Sequence, residues 1–431
     1  MMQVFNAKSL EEWLSYIEKL HSKPIDLGLD RMRELLARMQ LKFECPVLIV
    51  GGTNGKGSTC TYIENICLQA GLKVALHTSP HIERFNERAR VGGKEVSDDM
   101  LIRHFAKVES ARGDVSLSYF EYTLLGILSW FAEEKPDVVV LEVGLGGRLD
   151  ATNALEPTAS IVTTVDLDHM QFLGNTRDAI GWEKAHIYRK NKPAVCADPE
   201  PPAELIRYAY EVGAELILAN RDYRIRVSAD GRRWNFYSEK CVLEDLPHPG
   251  LIGVHQIRNA AGALALLSSI PNLFSRLSRD DIVRGLVAAR LGGRFEYISK
   301  SPAVICDVGH NPHAAKALKA TLEEQKTTGG QTFAVFGMLK DKDRARVCEI
   351  LAGSFDSWFV AGLPGDRGGS AEDLGKMLSQ TGVDPSCIRL FDGVGDALQA
   401  ALQRAKEEDK IIIFGSFVTV NEAFKYLHRH L

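Results

Sequence analysis

The chain has 431 residues, 45% hydrophobic and 25% charged, with a net charge of −4. That length suits two or three domains with proper cores, and the slightly acidic balance lacks the basic footprint of a nucleic-acid binder. Eight scattered cysteines without a C-x-x-C pair read as reduced core thiols of a cytoplasmic protein, against a disulfide frame or a zinc site.

In chain order, Lys8-Ser9-Leu10-Glu11-Glu12-Trp13-Leu14 opens an acidic amphipathic helix over residues 9–21, without the apolar core of a signal peptide. The turn-forming Lys23-Pro24-Ile25-Asp26-Leu27-Gly28-Leu29 leads to a second helix from Asp30 to Leu41. Val47-Leu48-Ile49-Val50 is a short apolar run of buried-strand type. It breaks at Gly51-Gly52-Thr53-Asn54-Gly55-Lys56-Gly57-Ser58-Thr59, and apolar residues then recur at helical spacing from Tyr62. Strand, glycine-rich turn and helix start make a phosphate cradle. Glycine lets backbone N–H groups converge on anionic oxygens, and the helix N-terminus adds partial positive charge. Lys56 is placed for β- and γ-phosphates and the Ser58 hydroxyl for Mg²⁺. Gly57, between lysine and hydroxyl, departs from the commonest Walker spacing. The chain reads as nucleotide-binding.

After Gly71, the strand Lys73-Val74-Ala75-Leu76 ends in the polar cluster His77-Thr78-Ser79-Pro80-His81. The apolar run from Tyr122 to Ala132 is too short to span a membrane and reads as a buried helix. Val138-Val139-Val140-Leu141 ends in Glu142 and a glycine-rich loop to Asp150, and the strand from Ala159 to Val165 ends in Asp166-Leu167-Asp168-His169. Strand, polar strand end and helix, repeated, predict a doubly wound, mostly parallel α/β sheet with its site along the carboxyl ends of the strands. Glu142 fits a Mg²⁺ carboxylate or a cap for the next helix. Taken singly, His169 fits a structural histidine, and Lys184 in Gly181-Trp182-Glu183-Lys184-Ala185 fits a solvated helix lysine, as well as functional groups.

Arg224-Ile225-Arg226-Val227 and Arg233-Trp234-Asn235-Phe236 flank Asp230-Gly231, a hairpin signal for a small antiparallel piece at the sheet edge. Helices follow from His255 to Ser268 and from Asp281 to Arg290, and Leu291-Gly292-Gly293-Arg294 marks a domain boundary. Beyond it, strands at Ala303–Cys306, Thr332–Phe336, Trp358–Val360 and Ile411–Phe414 predict a smaller, doubly wound, Rossmann-like domain. The expected domains are residues 1–293 and 294–431. Asp307-Val308-Gly309-His310-Asn311-Pro312-His313 fits either a ribose- and electrophile-competent cluster or an Asn-Pro turn.

Together these residues resemble the folylpolyglutamate synthase/dihydrofolate synthase family of the Mur-ligase superfamily, and closely its bifunctional bacterial form. Gly52 to Ser58 is that superfamily's own cradle variant, extra glycine included. The resemblance continues through Ser79-Pro80-His81, Ser110-Ala111-Arg112-Gly113-Asp114, Tyr119-Phe120-Glu121-Tyr122 and Leu141 to Asn153. Asp168-His169, Glu183-Lys184-Ala185, Gly293-Arg294-Phe295 and Asp307 to Pro312 complete it, with Gly309 standing where alanine is expected. So many segments in order make the match strong.

The resemblance implies an N-terminal P-loop-type ATPase domain that also binds the pterin, and ATP-driven amide ligation. A substrate carboxylate is phosphorylated and the glutamate amine then attacks the acyl phosphate. Lys56, His169, Lys184 and Arg294 would carry catalysis. Thr53, Asn54, Gly55, Lys56, Gly57 and Ser58 would hold ATP, with Asn259 at adenine, Arg294 at the γ-phosphate, and Asp307 and His310 on the nucleotide. Ser58, Ser79 and Glu142 would surround one Mg²⁺. His169 and Lys184, the latter carbamylated, would hold a second, because a carbamate offers an anionic oxygen. Pro24, Ile25, Asp26, Leu27, Ser118, Tyr119, Phe120, Glu121, Leu149, Asp150 and Ala151 would meet the pterin, and Ser416 lies near glutamate. The implied partners are dihydropteroate, reduced folates and L-glutamate, acting on a cytoplasmic monomer without nucleic acid or membrane.

Alternatives are folylpolyglutamate synthase activity alone, a peptidoglycan Mur ligase, and a non-catalytic nucleotide-binding relative. A peptidoglycan ligase would carry a further N-terminal domain, for which the residues before Val47 are too few. A mere binder needs the cradle but not Glu142, His169, Lys184 and Arg294 together.

Overall fold

Apolar runs separated by helices build one sheet from β1 (Val47–Gly51), β2 (Val74–His77), β3 (Ala89–Val91), β4 (Lys94–Glu95), β5 (Val138–Glu142), β6 (Ala159–Val162), β7 (Pro193–Cys196) and β8 (Glu215–Leu218). The computed structural model describes residues 5, 7–23, 26–326 and 329–430. Pro24 and Ile25, two of the expected pterin-side residues, lie outside them. Among the described residues the strand order is β4-β3-β2-β5-β1-β6-β7-β8. From β2 to β8 all pairs are parallel, and β3 and β4 add antiparallel strands at one edge.

β1 and β5 are buried along their whole length, as a parallel sheet covered on both faces requires. One face packs Ala75, Val139 and Leu141 against Trp13, Phe105, Tyr122 and Phe131 from the surrounding helices. The other carries Ile49, Val162, Ile187 and Tyr188. Inside the first cluster, the Glu109 carboxylate accepts from Arg112 Nε at 2.7 Å, Tyr16 Oη at 2.9 Å and Tyr122 Oη at 3.1 Å. Glu109, held by Arg112 from a segment that carried the family resemblance, thus ties the N-terminal helix Leu10–Leu20 to helices Asp98–Arg112 and Tyr119–Glu134.

The expected hairpin is present as β9 (Tyr223–Val227) and β10 (Arg233–Ser238), but β11 (Val242–Pro247) joins it in a separate three-stranded sheet. These strands and the eight-stranded sheet belong to a first compact unit, comprising residues up to Val165, Gln171–Pro249 and Ile257–Ala289. A second unit comprises Asp166–Met170, Gly250–Gln256 and the chain from Arg290 onward. Its strands are β12 (Glu296–Lys300), β13 (Ala303–Asp307), β14 (Thr332–Phe336), β15 (Ser357–Ala361), β16 (Ile388–Phe391) and β17 (Lys410–Phe414). They are ordered β12-β13-β17-β14-β15-β16, all parallel except the β12–β13 pair. Its core gathers Ile305, Phe336, Trp358, Val360, Ile412 and Phe414. Both units are doubly wound α/β structures. Among the described residues no helix is long and apolar enough to cross a membrane.

The helix leaving the cradle, Lys56–Gln69, is positioned by its neighbour Arg279–Ala288. The two run so close that a Cβ on Gly285 would stand 2.4 Å from Ile66 Cα. Gly285→Ala should therefore destabilise the first unit by about 2 kcal/mol through overpacking. A lowered denaturation midpoint checks this, and an unchanged one would mean the helices separate freely.

Candidate active site

The cradle is a turn held open from outside. Gly52 (φ +142°) and Gly55 (φ +85°) take backbone angles that side chains rarely adopt. A Cβ on Gly52 would collide with Thr163 Oγ1 at 1.9 Å, and one on Gly55 with Asn259 Oδ1 at 2.4 Å. Thr163 and Thr164, following β6, brace the loop. Thr53 N donates to Thr164 O at 2.7 Å, and Asn54 O accepts from Thr163 Oγ1 at 2.6 Å and Thr164 Oγ1 at 3.1 Å. The helix begins at Lys56, and Ser58 and Thr59 are buried in its first turn. Lys56 Nζ rests on the loop's own carbonyls, 3.1 Å from Gly52 O and 3.3 Å from Thr53 O. The ammonium thus stands at the glycine-rich turn, held by backbone carbonyls.

Adjacent strand ends bring the expected first metal group together. Val50 pairs with Glu142 and His77 with Leu141, so β1, β5 and β2 present the cradle, Glu142 and Ser79 side by side. Glu142 is buried, and its carboxylate accepts from Ser79 N at 3.1 Å. It caps no helix. A hydroxyl and an oriented carboxylate are hard oxygen donors that suit Mg²⁺. Among the described residues no three His, Cys, Asp or Glu side chains converge as a metal cluster, so a metal here would need such a mixed donor set.

The loop after Glu142 packs on the helix Arg177–Ala185. Arg148 N donates to Glu183 O at 2.9 Å, and its guanidinium holds Glu183 Oε1 at 2.9 Å. Lys184 is buried at 4% exposure, which removes the solvated-lysine reading. Asp150 braces the same loop, accepting from Leu145 N at 2.9 Å and Thr152 Oγ1 at 2.6 Å. Burial pushes its carboxyl above the ordinary range.

The described residues among those expected to meet the pterin lie in the first unit. Ser118 and Glu121 make a capping box for helix Tyr119–Glu134. Arg31, which sequence reasoning missed, joins this box to the turn before it. Its Nε donates to Glu121 Oε1 at 3.0 Å and its Nη1 to Asp26 Oδ2 at 2.6 Å. Hydrogen bonding to Arg31 holds the Asp26 carboxyl below its usual range. Phe120 lies at the end of this helix nearest the Glu142 loop. A Cβ on Gly144 would meet its ring at 2.8 Å and Asp150 Oδ2 at 3.2 Å, and His77 stands 5.9 Å from the ring centroid. An aromatic face with buried carboxylates beside it suits a flat, hydrogen-bonding heterocycle. Leu27 is exposed at 37%, and Tyr119 packs edge-on to Phe85.

The remaining expected residues fall in the second unit. Asp307 ends β13 and accepts from Gly309 N at 2.8 Å and Phe295 N at 3.1 Å, with burial raising its pKa. Gly309 is no neutral replacement for alanine, because a Cβ there would stand 2.7 Å from Asp307 Oδ1. Arg294 lies over the Phe417 ring at 5.4 Å. Asn311 caps helix Pro312–Glu324, so the Asn-Pro reading holds, yet its Nδ2 also reaches Asp168 Oδ2 at 3.0 Å. Asp168 further accepts from Lys342 Nζ at 2.6 Å and from His169 N at 2.8 Å, and His310 Nε2 lies 3.6 Å away. Burial opposes the charge of Asp168, but His310 and Lys342 outweigh it and hold the carboxyl far below its usual range. His169 takes φ +49°, and its Nε2 lies 3.4 Å from Lys342 Nζ. Ser416 Oγ accepts from Thr419 N at 3.0 Å, so it caps the last helix.

Sequence reasoning missed Thr163 and Thr164, which bond to Asn54, Arg31, which bonds to Glu121 and Asp26, and Lys342, which bonds to Asp168 beside His169. The threonines and Lys342 do follow the strand-end rule, sitting just past β6 and β14. Arg31 carries no such signal.

The Mur ligase middle-domain model matches residues 50–267, and the Mur ligase glutamate ligase domain model matches residues 293–417. The dihydrofolate synthase/folylpolyglutamate synthase of Escherichia coli is 44% identical over 96% of this chain and 94% of its own length. A structure of E. coli FolC in complex with DHPP and ADP superposes with a TM-score of 0.91, at 42% identity over 98% of each chain. A bifunctional folylpolyglutamate synthase/dihydrofolate synthase with Mn, AMPPNP and L-glutamate bound gives 0.89, at 40% identity over 99% of this chain and 100% of that one. With the cradle, the strand-end carboxylate and both domain models in order along one chain, this protein belongs to the Mur ligase family, in its dihydrofolate synthase/folylpolyglutamate synthase branch.

Proposed function

We propose that the chain joins L-glutamate to dihydropteroate, giving dihydrofolate, and to the glutamyl tail of reduced folates, using ATP. The observation that carries this reading is the arrangement of strand ends in the first unit. The cradle, Glu142 and Ser79 lie at the ends of neighbouring strands, and Phe120, on helix Tyr119–Glu134, packs against the loop from Glu142 to Asp150. The solved relatives with ADP and DHPP, or with Mn, AMPPNP and L-glutamate, support the same classes of ligand here.

In the reaction a carboxylate oxygen attacks the γ-phosphorus and ADP leaves. The glutamate amine then attacks the acyl carbon, loses a proton, and phosphate departs as the amide forms. Such phosphoryl transfer depends on positioning and charge neutralisation more than on covalent protein groups. Lys56 exchanges the Gly52 and Thr53 carbonyls for β- and γ-phosphate oxygens. In this reading Ser58, Ser79 and Glu142 would hold one Mg²⁺, which would supply charge neutralisation, and His169 and carbamylated Lys184 would serve a second. Asn259, Arg294, Asp307 and His310 are nucleotide-side residues in this reading, and Ser416 serves glutamate. Pro24 to Leu27, Ser118 to Glu121 and Leu149 to Ala151 take the pterin side, with Arg31 added. We read the protein as a cytoplasmic monomer whose eight cysteines stay reduced, as all are free thiols in the fold.

ATP, L-glutamate, Mg²⁺ and dihydropteroate should yield ADP and dihydrofolate, and Lys56→Ala should yield neither while melting like wild type. Product from tetrahydrofolate but none from dihydropteroate would reduce the assignment to folylpolyglutamate synthase alone.

Phe120→Ala should lower kcat/KM for dihydropteroate about tenfold and for glutamylated folate less, because the shorter substrate has no glutamyl tail to supply binding energy. Equal losses on both acceptors would remove Phe120 from pterin recognition.

The carbamate role of Lys184 predicts that Lys184→Arg loses ligation on the order of a hundredfold, since guanidinium offers a cation no acceptor. A fully active Lys184→Arg enzyme would exclude it.

A further inference from the structure

Arg88 ends the short turn Phe85–Arg88 in the first unit, and its fork is left open. The guanidinium carbon lies 5.3 Å from the Phe85 ring centroid and 5.9 Å from that of Tyr119. Its Nε donates to His81 Nδ1 at 2.8 Å. Among the described residues Nε alone of its nitrogens has a hydrogen-bond partner, and no carboxylate pairs with it. Arg90, two residues on, shows the contrast, since its Nε and Nη2 hold the two oxygens of Glu64 at 3.0 and 2.7 Å. Burial lowers the pKa of Arg88, yet a guanidinium keeps its charge. Withdrawing such a cation from water without an anion is costly. His81 adds a donor, because Nδ1 accepts from Arg88 and the ring proton therefore sits on Nε2. Burial and Arg88 push the His81 pKa down to about 4, so the ring is neutral. The place of Arg88 is set by its backbone. Its carbonyl accepts from His77 Nδ1 at 2.9 Å and Thr78 N at 3.0 Å. That same segment reaches the Phe120 ring through His77 and the Glu142 carboxylate through Ser79.

The two acceptors differ in charge next to the reacting group. Dihydropteroate carries one carboxylate, the one that is activated. A glutamylated folate ends in two, and when the γ-carboxylate reacts the α-carboxylate remains as an anion to be held. We propose that Arg88 takes this non-reacting α-carboxylate, with its open Nη donors and the His81 Nε2–H beside them, and so serves the glutamylated acceptor far more than dihydropteroate. This rests on the reading of Phe120 as the pterin side and of the cradle as the place where the reacting carboxylate meets ATP. A planar fork matches a carboxylate with two parallel hydrogen bonds, and the aromatic rings of Phe85 and Tyr119 hold its plane.

Steady-state kinetics with both acceptors test this. Arg88→Gln should lower kcat/KM about thirtyfold for tetrahydrofolate, the loss of a charge-assisted pair, and only about threefold for dihydropteroate. Tetrahydrofolate with its α-carboxylate converted to an amide should suffer a comparable loss with wild type, and Arg88→Gln should no longer distinguish amide from acid. Equal losses on both acceptors, or an amide that wild type ligates as well as the acid, would overturn the inference. A raised KM for L-glutamate with both acceptors would overturn it as well, because the guanidinium would then serve the incoming amino acid. Wild type that turns over neither acceptor would overturn the ligase reading, and the inference with it. Should Arg88→Gln fail to fold, Arg88→Lys takes its place. It keeps the charge but loses the fork, and should cost about tenfold on tetrahydrofolate with a smaller loss on dihydropteroate.

Discussion

The site depends on one close approach of backbone to strand. Gly52 runs so near Thr163 that no side chain fits between them, and the two threonines after β6 then bind the turn by its own amide and carbonyl groups. The consequence is a phosphate turn whose N–H directions are set during folding. Preorganised donors need no rearrangement as charge develops, which is where electrostatic catalysis gains most. The approach is possible only because β1 lies between β5 and β6, where the strand order reverses. A single positional fact about the sheet therefore fixes the cradle, places Glu142 on one side of it and supplies its threonine brace on the other.

Many of the polar side chains expected at a site already serve the fold of their own unit. Ser118 and Glu121 cap one helix, Ser416 and Asn311 cap others, and Asp150 ties a loop to itself. Each is held in one orientation by hydrogen bonds within a few residues in sequence, so its remaining lone pairs or donors are aimed before any ligand arrives. The side chains proposed for recognition are thus the ones that local structure already holds in place.

The parts legible in the sequence share a physical character. β1, β5 and β13 are unbroken apolar runs because both faces of a parallel sheet are covered, and the cradle is contiguous because one turn performs the whole task. β3 and β4 are too short to carry a period, and β8 and β11 mix charged and apolar residues because they are partly exposed. In the site, contiguous motifs could be read directly, while pairings made by tertiary folding could not. Arg31 and Glu121 are 90 residues apart, and Lys342 and Asp168 are 174 apart. No periodicity links such partners, and Lys342 looks locally like one of several charges in a surface loop. The buried state of Lys184 was equally hidden, because a helix lysine shows no sign in sequence of what covers it.

The segment Asp166–Met170 belongs by its contacts to the second unit, although the chain on both sides of it builds the first. The order of residues and the order of parts are therefore different things in this molecule. A fragment beginning at Arg290 would contain Lys342 and Asn311 but not the carboxylate that accepts from both. Any recombination that joined this half to a foreign partner would succeed only if the partner brought an equivalent five-residue loop. Inheritance of the two halves is thus coupled, and modular exchange between related ligases is constrained by a loop that lies well outside the half it completes.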